Sequence, residues 1–454
     1  MLNIKPVFLY TDIFLWCTAL LITIYAFHVR KSPPLRRKWA KVFSSGTACA
    51  SAAVLLIFVL IAAADSFHFQ RAIGSSAQGA VYSVRPVSFL DYFVGERIAG
   101  RERSYSSPFA IREFDKTSVT DNGTVRREYA RLSGAGINID EGSYTESLCA
   151  SCAKGVIRGG LIALAGFGLS LLFSRKRTLR PGPFLSVVLC ALFIAGVLWE
   201  LWPDWHIFGT DATGNDVLYN AFKSVRTAVI LGTLATASML PFAIILGIAA
   251  GYFKGWLDDA IQYLYTTISS VPSVLLIAAS VLMLQAFIDR NPGLYETELE
   301  RAELTLMSLS VIIGVTGWAG LARLLRAETL KLSEMEFIRA AESFSVPAFK
   351  ILLKHIFPNV THLVLIVSVL DFSGIVLYEA VLSYVGVGVS PSTYSFGSMI
   401  TSGALEMSRS PVIWWNLSAS FAFMLTLVLS ANLLAGSVRN AFNPRNTGKG
   451  EGNA

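Results

Sequence analysis

The chain has 454 residues, of which 53% are hydrophobic and 15% charged, against roughly 25% charged in an average globular domain. The apolar residues gather in long runs, which excludes an ordinary soluble globule and points to an all-α polytopic membrane protein. The net charge of +7 does not indicate nucleic acid, because the basic residues flank apolar runs, where membrane topology accounts for them.

Nine spans are predicted, at about 12–30, 43–65, 156–174, 183–202, 227–252, 261–288, 304–322, 359–386 and 411–436, each near the roughly 20 residues a helix needs to cross hydrocarbon. Lys5 is a thin basic start and no small-x-small cleavage site follows Phe27, so the first span is expected to be retained. Lys and Arg number 20 in the segments after spans one, three, five, seven and nine, and 6 in the short segments on the other side. The first set is therefore expected to be cytoplasmic, with the N-terminus outside and the C-terminus inside. The long 66–155 loop then falls outside, since long loops translocate largely regardless of charge.

That loop is expected to form a small outer domain, with short strands near Ala80–Phe89 and Gly123–Leu132 around an Asp121-Asn122-Gly123 turn. Cys149-Ala150-Ser151-Cys152 at its end lacks the further ligands zinc needs, and no metal site is expected. A local disulfide or two unlinked thiols is the simpler reading. Cys17, Cys49 and Cys190 lie in apolar runs as small hydrophobes. Arg175–Pro183 is a basic, proline-broken joint, and divides the chain into 1–182 and 183–445, with a polar tail at 446–454.

After the joint, Trp202, Trp205, Trp414 and Trp415 suggest aromatic belts at the outer interface. Asp211 and Asp216 sit in a turn-rich stretch that can cap the following span with Asx bonds. Asp258 and Asp259 are expected to cap the helix that follows their turn. Asp371 and Glu379 are intramembrane acids, about 80° apart on a helix. Such groups usually face an interior or a partner, and Asp371 is a candidate for the translocation path.

Between the seventh and eighth spans stands Glu336–Asn359, long and amphipathic for a membrane connection. Phe337, Ala340, Ala341 and Phe344 fall at i, i+3, i+4 and i+7, so they are expected to line one helical face and to form any docking face. Pro347 ends that helix, and a second is expected from about Ala348 to Pro358. The product is a helix-turn-helix knob suited to docking in a groove, or else a connector lying on the bilayer. No G-x-x-x-x-G-K-[ST] occurs, so nucleotide phosphates are not cradled here by that route.

This loop resembles the EAA motif of binding-protein-dependent ABC importer permeases, the match falling on Ala340, Ala341, Ser345, Ile356 and Pro358. Arg339 stands for the motif's Glu, Ser345 for its Gly and Phe357 for its Leu. Phe208–Val217, with Gly209, Thr210, Asp211, Gly214 and Asp216, resembles the FGTDxxGRDV signature of the oligopeptide/dipeptide subfamily, with Asn215 for Arg. Gly251–Asp258 resembles its GYFGGWVD turn. Leu377–Gly388, with Glu379, Gly386 and Gly388, resembles its LxEAxLSFLGLG segment, and Asn432–Arg445 its NLLGDxLRDxLDPR ending. The landmarks stand in family order and are most similar to the dipeptide permease C type.

The resemblance implies a six-helix permease core at 183–445 with a coupling loop at 327–358, preceded by about three extra helices and the outer domain. It implies a bacterial inner-membrane transport subunit for peptides or related small solutes, not itself an enzyme. The partners implied are a homologous second permease, two ATPases that bind ATP and Mg²⁺, an extracytoplasmic solute-binding protein and membrane lipid. From the residues alone two other readings stand beside it: an ion-coupled secondary transporter using Asp371 and Glu379, and a membrane scaffold acting through its outer loop.

Overall fold

The computed structural model describes residues 4–76, 79–83, 86–95, 98–121, 124–137, 139, 141–173, 182–295, 297–390 and 392–442. The Asn122-Gly123 turn, most of the basic joint, the Asn443–Arg445 ending and the tail lie outside these residues. Among the described residues, nine helices are long and apolar enough to cross a membrane. Strand β1 (Ile4–Val7) precedes α1 (Tyr10–Lys31), α2 (Pro33–Val42) and α3 (Gly46–Asp65). The 66–155 segment, called the outer segment for its expected side, carries β2 (His68–Ser76), β3 (Gly79–Tyr82), β4 (Val87–Ser88), β5 (Thr117–Asp121) and β6 (Thr124–Glu128). Helices α4 (Tyr144–Phe173), α5 (Pro183–Leu201), α6 (Val217–Phe253), α7 (Gly255–Ser270) and α8 (Ser273–Arg290) follow. Then come α9 (Glu298–Gly317), α10 (Ala319–Ser333), α11 (Glu336–Ser343), α12 (Ala348–Ile351), α13 (Phe357–Tyr384), α14 (Phe396–Glu406) and α15 (Trp415–Phe442).

One compact unit comprises Met1–Phe8, Ser44–Thr227 and Tyr394–Ser430. Its stretch from His68 to Glu128 carries strands. Strands β1, β3 and β4 pair antiparallel with β2, and β5 pairs with β6 so that Asp121 faces Thr124. The third span is longer than predicted, because α4 starts at Tyr144. Arg158 is therefore well inside the helix, where it pairs with Glu200 of α5. The two helices approach closely through small residues: an added methyl at Gly159 would strike the Phe193 carbonyl, and one at Gly196 would strike the Gly159 backbone. Small residues serve membrane helix packing by letting backbones meet.

The tryptophans depart from the belt reading. Trp202, Trp205 and Trp415 are buried and only Trp414 is exposed. Trp205 lies against Phe109 and Tyr144 of the outer segment, with centroids 6.3 and 5.6 Å away, and Trp415 donates to the Thr210 carbonyl at 2.9 Å. A folded protein cover replaces lipid headgroups as their surroundings. Cys149 and Cys152 are unlinked thiols on α4, and Cys152 packs with Ile139, Leu201 and Trp205.

The other unit comprises Leu9–Phe43, Ala228–Thr393 and Ala431–Ala454. Here the predicted 261–288 span is broken: Val271 is extended and Pro272 separates α7 from α8. Proline lacks the N–H that would continue the ladder and disfavours helix at the preceding residue. Helices α6 and α10 meet at Gly247 and Gly251, where a methyl would collide with Ala322, Arg326 and Thr329. Asp258 is not a cap. It lies within α7 and takes a two-pronged bond from Arg326 of α10, at 2.5 and 2.6 Å.

Candidate functional site

The coupling-loop candidate is built on a helix end. Glu334 closes α10, Met335 starts α11, and α11 runs for 8 residues to Ser343. The Ser345 N–H donates to the Glu342 carbonyl at 2.8 Å and the Val346 N–H to the Ala341 carbonyl at 3.1 Å. This pair of bonds is a Schellman closure, whose C′ residue must be left-handed. Ser345 is that residue, with φ of 56°. The same closure ends α13, with bonds from Gly386 to Ser383 and from Val387 to Leu382, and there the C′ residue is a glycine at φ 84°. Ser345 thus adopts the conformation that the glycine of the EAA pattern would adopt freely. A non-glycine residue in this region costs about 1 kcal/mol. Ser345→Gly is therefore expected to stabilise the protein by about 0.5–1 kcal/mol, raising the thermal midpoint by about 1–2 °C. A fall in the midpoint of the detergent-purified protein would refute strain at this turn.

Pro347 precedes α12, which continues through a wider turn at Leu352–Ile356 into α13. The second helix therefore does not stop at Pro358. That wider turn accommodates the missing N–H and ring of Pro358 within a chain of helical residues running from Ala348 to Tyr384. Three isoleucines, Ile338, Ile351 and Ile356, are fully buried and anchor the loop in one core cluster with Leu325 and Val360. Ala341 and Val346 pack partly against the same cluster. Phe337 is 43% exposed and Phe344 83% exposed, and Ala340 and Pro358 are exposed as well. The outward face is Phe337, Ala340 and Phe344, while Ala341 and Ile356 turn inward. Arg339 bonds Glu334, which also takes the Lys254 ammonium at 2.6 Å. Lys254 and Arg339 together hold the Glu334 carboxyl down at about 2.

In the same unit, Glu379 is buried and accepts from Ser383 Oγ at 2.8 Å. Any side chain at Gly388 would strike Ser383, so the landmarks Glu379, Gly386 and Gly388 form one local closure of α13. Asp371 instead lines a cavity of about 240 Å³ with Ser273, Thr316 and Tyr378.

The GTD stretch belongs to the other unit. Asp211 Oδ1 accepts from the Thr213 and Asn215 N–H groups at 2.8 and 3.0 Å, which is the predicted Asx turn. Asp216 Oδ1 takes the Tyr219 N–H at 2.9 Å at the start of α6. The outer segment lies directly against this stretch. Thr210 Oγ1 donates to the Ser104 carbonyl at 2.7 Å, and Glu102 N–H donates to the Gly214 carbonyl at 2.9 Å. Gly209 and Gly214, at φ 61° and 78°, leave no room for a side chain beside Ser106 and Glu102.

Sequence reading missed a buried charged triad here. His206 is sandwiched between Asp216, at 2.9 Å from Nδ1, and Glu102, at 3.5 Å from Nε2. Glu102 also accepts from the N–H groups of Ser133, Gly134 and Ala135 at 2.7–2.9 Å. Burial alone would raise the Glu102 carboxyl, but His206 and these backbone donors outweigh it and hold it at about 2. Burial pushes His206 down, but its hydrogen bond to Asp216 and the nearby Glu102 carboxylate prevail and lift it to about 9.

The family described as the binding-protein-dependent transport system inner membrane component matches residues 243–448. The oligopeptide transport system permease protein OppC of Haemophilus influenzae is 31% identical over 241 residues, covering 53% of this chain and 71% of that protein. The chain belongs to this family of inner-membrane transport components. OppC of Mycobacterium tuberculosis (strain H37Rv) is 27% identical over 53% of this chain and 76% of its own length. The dipeptide transport system permease protein DppC of Lactococcus lactis is 27% identical, over 53% of this chain and 64% of its own length.

As a family member the chain is a multi-pass inner-membrane permease, a transport subunit of an ABC importer. These relationships do not support the secondary-transporter and scaffold readings. The permease match takes in α7 to α15 whole, including the loop with Phe337 and Phe344 and both intramembrane acids. It begins beyond the GTD stretch and the outer segment that grips it.

Proposed function

We propose that this permease imports peptides or related small solutes, together with a homologous second permease, two ATPases that bind ATP and Mg²⁺, and an extracytoplasmic binding protein. The observation that carries the coupling role is the exposed Phe337–Ala340–Phe344 face, held on three fully buried isoleucines. A side chain as large and apolar as Phe344 gains by entering a partner groove. Its buried base lets the turn transmit force as a lever instead of folding away. Closure of the ATPases on ATP moves this lever, and the permease pair opens alternately to each side.

The excess of Lys and Arg in alternate segments supports a cytoplasmic knob, an outer N-terminus and a cytoplasmic C-terminus. The peptide cargo follows from the names of the relatives. The N-terminal part, residues 1–182, forms an extension whose outer loop guards the approach to 183–445 or helps seat the binding protein. Copurification of the tagged chain with its ATPases, followed by ATP-dependent uptake of tri-alanine into proteoliposomes, tests the whole assignment. Uptake that persists without any ATPase partner would overturn it.

A further inference from the structure

We infer that the cavity around Asp371 is a recognition subsite for the protonated amino terminus of the transported peptide, deepening the import function proposed above, on which it rests. Asp371, Gly374 and Tyr378 fall at i, i+3 and i+7 of α13 and share one face. They close the cavity together with Ser273 of α8 and Thr316 of α9. Ser273 Oγ and Tyr378 OH stand 2.6 Å apart, so two hydroxyls border the same space as the carboxylate.

Among the described residues no hydrogen bond or ion pair is made to the Asp371 carboxylate. An acid at membrane depth without a counter-charge is costly, and such residues mark substrate or ion pathways. Glu379, two turns along the same helix, shows the contrast: it is buried and bonded to Ser383.

The space suits one small cationic head. Its volume of about 240 Å³ is below the 300–1,000 Å³ of sites that enclose a drug-sized ligand, so it holds a terminal residue and not a whole peptide. One carboxylate with hydroxyl neighbours matches an ammonium, which needs three acceptors. It does not match a divalent metal, and among the described residues no group of three or more metal-ligating side chains occurs. Ile277 and Ile375 supply apolar wall for a first side chain, and Gly317 and Gly374 add no side chain to the lining.

The test uses Ser273→Cys in the full chain, copurified with its partner subunits. Thiol labelling of the cysteine at position 273 is followed by mass spectrometry, with tri-alanine or N-acetyl-tri-alanine present. Free-amine tri-alanine is expected to slow labelling by about tenfold more than the acetylated peptide, the scale of one charge-assisted bond. Adding Asp371→Asn should erase the difference and Asp371→Glu should keep it. Equal protection by both peptides, or none by either, would overturn the subsite. ATP-dependent uptake by the wild-type preparation reports separately on the import function. Uptake without amine-selective protection removes the subsite alone, while loss of ATPase dependence in the wild type removes the function beneath it.

Discussion

Phe344→Asp is expected to release the ATPase subunits while leaving the permease folded. Phe344 is the more exposed of the two phenylalanines on the coupling loop's outward face, at 83%, and a substitution at such a position usually changes stability by no more than about 0.5 kcal/mol. Its value lies in the partner's groove. Truncating a central aromatic anchor of an interface commonly costs about 2 kcal/mol or more, roughly thirtyfold in affinity, and a buried carboxylate without a partner adds to that loss. Ile338→Ala makes the opposite demand. Ile338 is fully buried between α11 and the core cluster, so its truncation leaves a cavity costing about 2–4 kcal/mol. That variant should lower the thermal midpoint and loosen the loop to proteolysis, with ATPase release following from disorder. The pair separates contact from scaffold. Copurification stoichiometry and the thermal midpoint, read together, decide it. Phe344→Asp that keeps its ATPases at wild-type stoichiometry would remove this face as the docking surface.

Much of the fold was legible because its signals are local. A run of about 20 apolar residues announces a span wherever it occurs, and Lys and Arg beside it suggest a side. Helical spacing in Glu336–Ser343 announced a helix, and the break at Pro347 announced its end. The same pattern put Ala341 on one face with Phe337, Ala340 and Phe344, because all four recur at helical spacing, whereas Ala341 turns inward beside Ile338. Only packing against Leu325 and Val360 shows which side is core. The break at Pro272 carried its own signal, overridden by an apolar run that continues across it. Ser345 was marked by its place in the EAA pattern, yet its left-handed backbone follows from the closing bonds of Ser345 and Val346, which no composition reveals. Trp202, Trp205 and Trp415 read as a lipid-interface belt because the sequence does not show that protein covers them. Glu102 and His206 stand 104 positions apart in the sequence, and neither has a neighbour that hints at the other.

That pair sets the pH range in which the unit that holds it is most stable. Glu102 falls from an ordinary 4.5 to about 2, so its contribution is complete above about pH 4.5 and is lost as the pH falls toward 2. His206 rises from 6.5 to about 9, so its contribution is complete below about pH 6.5 and is lost as the pH climbs toward 9. The two windows overlap between about 4.5 and 6.5, where the thermal midpoint of the purified permease should be highest. Each shift spans about 2.5 units, and at 1.36 kcal/mol per unit one such shift is worth about 3 kcal/mol. The two describe one shared interaction and do not add. Glu102→Gln should therefore cost about 3 kcal/mol near pH 6, because a neutral amide turns its own N–H₂ toward the donors of Ser133, Gly134 and Ala135 and leaves the His206 charge with Asp216 alone. The acid limb of the profile should flatten in this variant, while the alkaline limb survives in weakened form through Asp216. Thermal midpoints of both proteins from about pH 3 to pH 9 check this. An unchanged acid limb in Glu102→Gln would show that the outer segment is held to the GTD stretch by its main-chain bonds and not by the buried charges.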